Sequence, residues 1–206
     1  MSALIKGTEV TDGGSVTLKA TEGGLLIAVP PQIIWTAKGY GFQAMATSAI
    51  AGLVVRPSTT AAATLYNKST TKLLIIERVM VHQLVSGTAQ SMFGLWLCSH
   101  PAGMVAPTND ITVRNSTNGG SAGGSDTIFD NGATVADDGW FPWGDWGEVE
   151  ATGVLPGCQL SAEIGGRIII PPTGALSAHV VAGTVDEDFT IGFHWFEIPI
   201  TELTIS

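Results

Sequence analysis

Thr71-Lys-Leu-Leu-Ile-Ile-Glu-Arg-Val-Met-Val-His-Gln-Leu-Val85 decides how this chain is read. The stretch is too rich in β-branched residues to favour a helix, and it is long for a strand. Along a strand, alternate residues face opposite sides. Strict alternation puts Leu73, Ile75, Val79, Val81 and Val85 on one side. It puts Leu74, Ile76, Met80 and Leu84 on the other. Both sides are apolar, so both require cover. A sandwich normally buries one side of a strand and leaves the other to water. The second apolar side therefore calls for a further layer, either an N-terminal arm or a neighbouring subunit, and it points to assembly rather than catalysis.

Working outward, the flanking segments have the same character. Ala61 to Tyr66 reads as a strand, Asn67-Lys68-Ser69-Thr70 as a turn, and Ser91 to Cys98 as the next strand. Strand patterns return at Gln159 to Ile164, Arg167 to Ile170, Leu176 to Val181 and Phe189 to Ile198. In the last, Phe189, Ile191, Phe193 and Trp195 share one face, with Thr190, Gly192 and His194 opposite. Many short β-rich runs with glycine turns define an all-β class, here an antiparallel β-sandwich. Residues 1–60 read as an N-terminal extended arm with a small β segment, and 61–206 as the sandwich, with a long loop insertion at about 99–150. Ser15 to Ala20 and Leu25 to Val29 are strand candidates in the arm; Pro30-Pro31 ends the second, since proline cannot donate to a ladder. Ile33, Ile34 and Trp35 follow as an apolar plug suited to an interface. Asn115 to Ser125 holds no side chain able to build a core and reads as an exposed flexible loop.

Charged residues make up only 13% of the 206, which fits a protein that hides much of its surface. The net charge of −9 is uneven. Residues 1–114 carry eight basic and five acidic side chains; residues 115–206 carry one base, Arg167, against thirteen acids. An acidic half without a Lys/Arg cluster cannot neutralise a phosphate backbone, so nucleic acid is not an expected partner. The mildly basic half either is simply solvated or docks on an acidic surface. No basic segment followed by an apolar core opens the chain, and no apolar run approaches the ~18 residues of a membrane helix. Synthesis in a host cytoplasm without membrane insertion is the expectation. Cys98 and Cys158 show neither CxxC nor zinc spacing and read as two free thiols, with a disulfide as the alternative.

Three tryptophans crowd Asp137-Asp-Gly-Trp-Phe-Pro-Trp-Gly-Asp-Trp-Gly-Glu148. Trp140, Trp143 and Trp146 have three readings. They stack on a sugar, anchor a subunit interface, where tryptophan is enriched, or close the open end of the sandwich. Asp137, Asp138, Asp145 and Glu148 offer oxygen ligands for calcium, but no EF-hand spacing. His82, His100, His179 and His194 show no metal-binding spacing; His82 and His194 read as satisfied or interface histidines on strands. No G-x-S-x-G elbow, phosphate loop or spaced acid–base pair is present, so no enzyme and no cofactor is expected.

The segment Leu65-Tyr-Asn-Lys-Ser-Thr-Thr-Lys-Leu-Leu-Ile-Ile-Glu-Arg-Val79 resembles the opening of jelly-roll virion proteins of tailed bacteriophages, in which a polar Asn-x-Ser turn precedes a long strand. The closing Phe189-Thr-Ile-Gly-Phe-His-Trp-Phe196 is similar to the end of tumour-necrosis-factor-like trimeric jelly rolls. The resemblance spans residues 61–198. It implies a jelly-roll-like homotrimer that decorates or cements a capsid exterior, clamping the major capsid protein. The alternative is a carbohydrate-binding or receptor-binding tip using Trp140, Trp143 and Trp146, with a glycan as partner. The resemblance carries no catalytic residues.

Overall fold

The computed structural model describes residues 5–8, 15–18, 30–88, 91–108, 111–119, 125–149 and 158–203, without the side chains of 5–8, 15–18, 145 and 149. Two short strands, β1 (Ile5–Thr8) and β2 (Ser15–Leu18), pair as an antiparallel hairpin. The expected strand at Leu25 to Val29 lies outside the described residues. Helix α1 (Pro31–Ala37) follows, then β3 (Gly41–Met45), β4 (Ile50–Ala51), β5 (Ala63–Asn67), β6 (Lys72–Val85) and β7 (Ser91–His100). The second half brings β8 (Arg114–Asn115), β9 (Thr127–Asn131), β10 (Phe141–Val149), β11 (Gln159–Ile170), β12 (Ala175–Ala182), β13 (Asp188–Pro199) and α2 (Ile200–Leu203).

The fold is an all-β antiparallel sandwich. One sheet has the order β10-β7-β12-β5-β9; the other runs β11-β6-β13-β3-β8, with β4 also on β13. The winding is that of a jelly roll. β3 pairs with β13, β5 with β12, β6 with β11 and β7 with β10, so the two halves of the chain form one long antiparallel ribbon. Successive strands of that ribbon alternate between the sheets, which rolls it around a shared core. Two boundaries drawn from sequence are thereby redrawn. β3 and β4, grouped with the arm in residues 1–60 as its small β segment, hydrogen-bond to β13 inside the sandwich. Residues 99–150, assigned to a loop, supply β8, β9 and β10, three edge strands.

The core is built from the inner positions of both sheets. Leu65, Phe93, Leu95, Phe129, Leu176, Phe189, Ile191, Phe193 and Trp195 are all at most 2% exposed. Aromatic pairs bridge the layers, Phe93 on Phe189 at 4.8 Å and Phe129 edge-on to Phe193 at 5.4 Å. The polar turn before β6 is fixed by Asn67. Its amide donates to the carbonyls of Lys72 and Ile170, and its oxygen accepts from the Ser69 N–H at 3.1 Å. A second buried polar group, the Glu197 carboxylate, accepts from Ser125, Thr127 and the Asp126 N–H, tying the end of β13 to the approach to β9.

Strict alternation fails on β6. His194 pairs with Arg78 and Trp195 with Ile76, leaving Glu77 as an extra residue. Such a bulge resets the parity of a strand. Leu74, Ile76, Val79 and Val81 therefore all enter the core, each fully buried. Leu74 and Ile76, expected on an assembly face with Met80 and Leu84, are interior residues.

Candidate functional site

The bulge leaves Ile75, Arg78, Met80 and His82 on the outer face of the six-stranded sheet. One end of this face is covered: Trp35 of α1 packs on Phe196 at 5.4 Å, and Tyr40 and Leu203 join Ile75, Phe196 and Ile198. Ile33 and Ile34, on the same short helix, are 58% and 46% exposed. The clamp of this end is polar. Glu202 accepts from Lys38 Nζ at 2.7 Å and from the Tyr40 hydroxyl at 2.8 Å. These bonds, led by that from Lys38, hold the Glu202 carboxyl below its usual range.

Beyond the helices the face is open. Gln159, Ser161, Glu163 and Ile169 of β11 are exposed at every outer position, while Leu160, Ala162 and Ile164 between them are buried. Met80 stands in register between Ser161 and Gly192, and Gly192 in turn pairs with Met45. Met45 and Met80 line a shallow hollow of about 470 Å³ with Gln43, Thr112 and Arg114. Leu84 is exposed at the far end of the strand. Arg78 sits between Glu163 and His194 and pairs with Glu163 at 2.5 Å. Burial, and next the Arg78 charge, push the His194 imidazole below its ordinary pKa.

The three tryptophans do not form one platform. Trp140 is buried and donates from Nε1 to the Ser58 carbonyl at 2.6 Å. With Ala61, Cys98, Ala133 and Val135 it makes a second small core on the outer face of the five-stranded sheet. Trp143 and Trp146 lie on β10, across a register shift at Gly144-Asp145. Trp143 pairs with inward-facing Leu95 and is half-buried; Trp146 pairs with Gly94, lies over it, and is 70% exposed. Gly144 has φ +83°, and a Cβ there would stand 3.2 Å from Ala162 Cβ. Glycine thus lets β10 cross close to β11 at the side of the sandwich. Beside that crossing runs a groove of about 540 Å³ lined by Phe141, Pro142, Trp143, Ser161, Glu163 and Arg167.

The carboxylates near the tryptophans are engaged separately. Asp137 forms a two-pronged pair with Arg56, which lowers its pKa, and Asp138 bonds His100. Among the described residues no group of His, Cys, Asp or Glu is placed to hold a metal ion. Cys98 and Cys158 form no disulfide; Cys98 lies in the small outer core and Cys158 packs against the main one. Burial raises the Cys98 thiol pKa.

One constellation escaped the sequence. His100 Nδ1 lies 2.9 Å from Asp138, its Nε2 lies 2.9 Å from Ser177 Oγ, and Ser177 Oγ lies 3.0 Å from Thr64 Oγ1. A carboxylate at Nδ1 keeps the proton there and leaves Nε2 to accept from serine, the polarity of a nucleophilic triad. Ser177 is wholly buried, however, and its oxygen is shared with Thr64. No substrate carbonyl reaches it. The line staples residues 132–140 onto the sheet. These residues are far apart in sequence and no spacing motif links them; only the pairing of β5, β12 and β7 brings three of them together.

No family model matches the chain, and no curated protein matches it. Two solved structures similar to it are described as the structure of infectious bursal disease virus Gx strain and the crystal structure of infectious bursal disease virus VP2 subviral particle. Each is 13% identical and 98% of this chain is covered, with TM-scores of 0.15 and 0.11. The chain spans about half the length of those chains, 47% and 48%. At these TM-scores the likeness carries no argument about fold or function.

Proposed function

We propose that this chain is a virion structural protein, one that decorates or cements the exterior of a phage capsid as a homotrimer by clamping the major capsid protein. The observation that carries this reading is the open outer face of the six-stranded sheet. It presents Met45, Met80 and Leu84, beside a helix that exposes Ile33 and Ile34. Apolar side chains on an open sheet face mark an interaction surface. The trimeric state comes from the resemblance of residues 61–198 to trimeric jelly rolls. Several modest contacts per trimer then sum to firm attachment, because the copies are linked.

Mass photometry of the whole chain tests the assembly, and co-sedimentation with capsids lacking it tests the attachment. The expected result is a trimer that binds, with Met80→Lys and Leu84→Lys together yielding folded monomers. A wild-type chain that stays monomeric at micromolar concentration, or that never sediments with capsids, overturns the reading.

A further inference from the structure

The groove at the β10–β11 crossing has a composition that the assembly reading does not use. Arg167 is the one basic residue among the fourteen charged side chains of residues 115–206. Its guanidinium is held in place by the backbone: Nε donates to the Ile164 carbonyl at 2.9 Å and Nη2 to the Glu163 carbonyl at 2.6 Å. Both carbonyls belong to the irregular part of β11, where Gly165 and Gly166 take φ +56° and +76°. The guanidinium carbon stands 5.2 Å from the Trp143 ring centre. Among the described residues Arg167 is in no ion pair, whereas Glu163, the one carboxylate lining the groove, is neutralised by Arg78. The groove is therefore locally cationic within the acidic half of the chain. Its aromatic wall is formed by Phe141, 58% exposed, set edge-on to Trp143 at 6.1 Å.

We infer that this groove binds a saccharide bearing a carboxylate, such as a uronic or sialic acid unit. The carboxylate pairs with Arg167, whose planar fork matches it. The apolar C–H face of the sugar ring packs on Phe141, and the Ser161 hydroxyl meets ring hydroxyls. The volume falls in the ~300–1,000 Å³ range of small-ligand sites. Trp140 and Trp146 have no part in it: one is buried and the other faces the opposite side of β10. The groove touches the rim of the open face through Ser161 and Glu163, but its ligand-binding groups Phe141 and Arg167 lie apart from Met45, Met80 and Leu84, none of which is in its lining.

The test is an array of neutral and carboxylated mono- to tetrasaccharides, followed by titration calorimetry with the strongest binder, on the full chain. The expected result is binding to carboxylated members only, weakened about tenfold or more by Phe141→Ala and by Arg167→Gln, and weakened by added salt. Phe141 is largely exposed, so its truncation leaves the melting temperature and the oligomer unchanged; Arg167→Lys, which keeps the charge and loses the fork, binds with intermediate strength. No binding across the array, binding to neutral sugars alone, or binding indifferent to both Phe141→Ala and Arg167→Gln overturns the inference. None of these results changes the capsid co-sedimentation, so the two readings fail separately.

Discussion

The two sheets treat their outer faces differently. The outer face of the five-stranded sheet is sealed over its middle strands, where Thr64, Cys98, His100, Ser177 and His179 are all buried, and opens only toward its β10 edge, where Met92 and Trp146 are exposed. The outer face of the six-stranded sheet is sealed only where α1 and α2 lie, and β11 alternates buried and exposed along its length. The sealed face carries polar groups that are internally satisfied, as the His100 line shows. The open face carries apolar groups that are not covered. A buried polar row stabilises the monomer only if complete, whereas an uncovered apolar row gains by association. The first face belongs to the fold, and the second is the one that the proposed assembly would use.

The largest expected effect breaks this contrast most directly. Trp140→Ala removes the centre of the sealed face and the bond to Ser58, and truncation of a packed tryptophan costs ~3–5 kcal/mol. Met45→Ala, on the open face, shifts the stability of the monomer by about 0.5 kcal/mol or less. Urea unfolding of both variants, at concentrations where the chain is monomeric, measures the difference. Equal losses would show that the two faces are not distinct.

Next comes the polar line. His100→Ala leaves Ser177 and Thr64 buried without their partner, at a cost of about 1–3 kcal/mol. Asp138→Asn keeps the shape but offers a group that no longer holds the imidazole tautomer, and its loss is smaller. Thermal melts of the two variants order them. A His100→Ala variant as stable as wild type would make the staple incidental.

The sequence showed where strands lie when one parity is apolar and the other is not. Phe189, Ile191, Phe193 and Trp195 are all interior, as alternation requires. β6 defeated the same rule because its two parities are both apolar, so a one-residue bulge at Glu77 leaves no trace in the pattern. β10 was hidden because its glycines, proline and tryptophans suit a loop as well as a strand, and its pairing with β7 depends on Gly147. A Cβ there would lie 2.2 Å from the buried Phe93 ring. Helix α1 did have a signal, proline at its first turn, but Pro30-Pro31 reads equally as the end of a strand. Of the four residues expected together on one side of β6, Leu74 and Ile76 are interior, whereas Met80 is half-buried on the outer face and Leu84 is exposed.

A smaller effect separates the faces by pH. Burial lowers the pKa of His179 on the sealed face and of His194 on the open one. The unfolded chain takes up protons at these positions near pH 6.5, while the folded chain resists until lower pH. Their contribution is therefore complete above about pH 6.5 and is lost as the pH falls from there through the folded values. The melting temperature is expected to drop between pH 7.5 and 5. The double variant His179→Gln, His194→Gln flattens that drop; an unchanged slope would assign it elsewhere. If the open face assembles as proposed, a second copy that covers His194 deepens its burial and steepens the slope with protein concentration.

The smallest effect concerns the clamp that divides the open face from its covered end. Lys38 and Glu202 are exposed and Tyr40 is half-buried, and ion pairs at such exposed positions contribute little in water. Glu202 has its pKa lowered, so the clamp is complete above the unfolded carboxylate value near pH 4.5 and is lost as the pH falls through the folded one. Glu202→Gln is expected to leave global unfolding nearly unchanged. Local opening is the sensitive readout, because Trp35, Tyr40 and Leu203 cover Ile75, Phe196 and Ile198 without any buried residue within α1 or α2. Amide exchange of residues 31–40 and 200–203 should therefore quicken in the variant, and quicken in wild type when salt is added. The exchange of β13 itself stays slow, since its ladder to β6 runs from Lys72 to Val85. If the helices exchange no faster, the cover over Phe196 is held by packing alone, and the boundary of the open face is set by Trp35 rather than by charge.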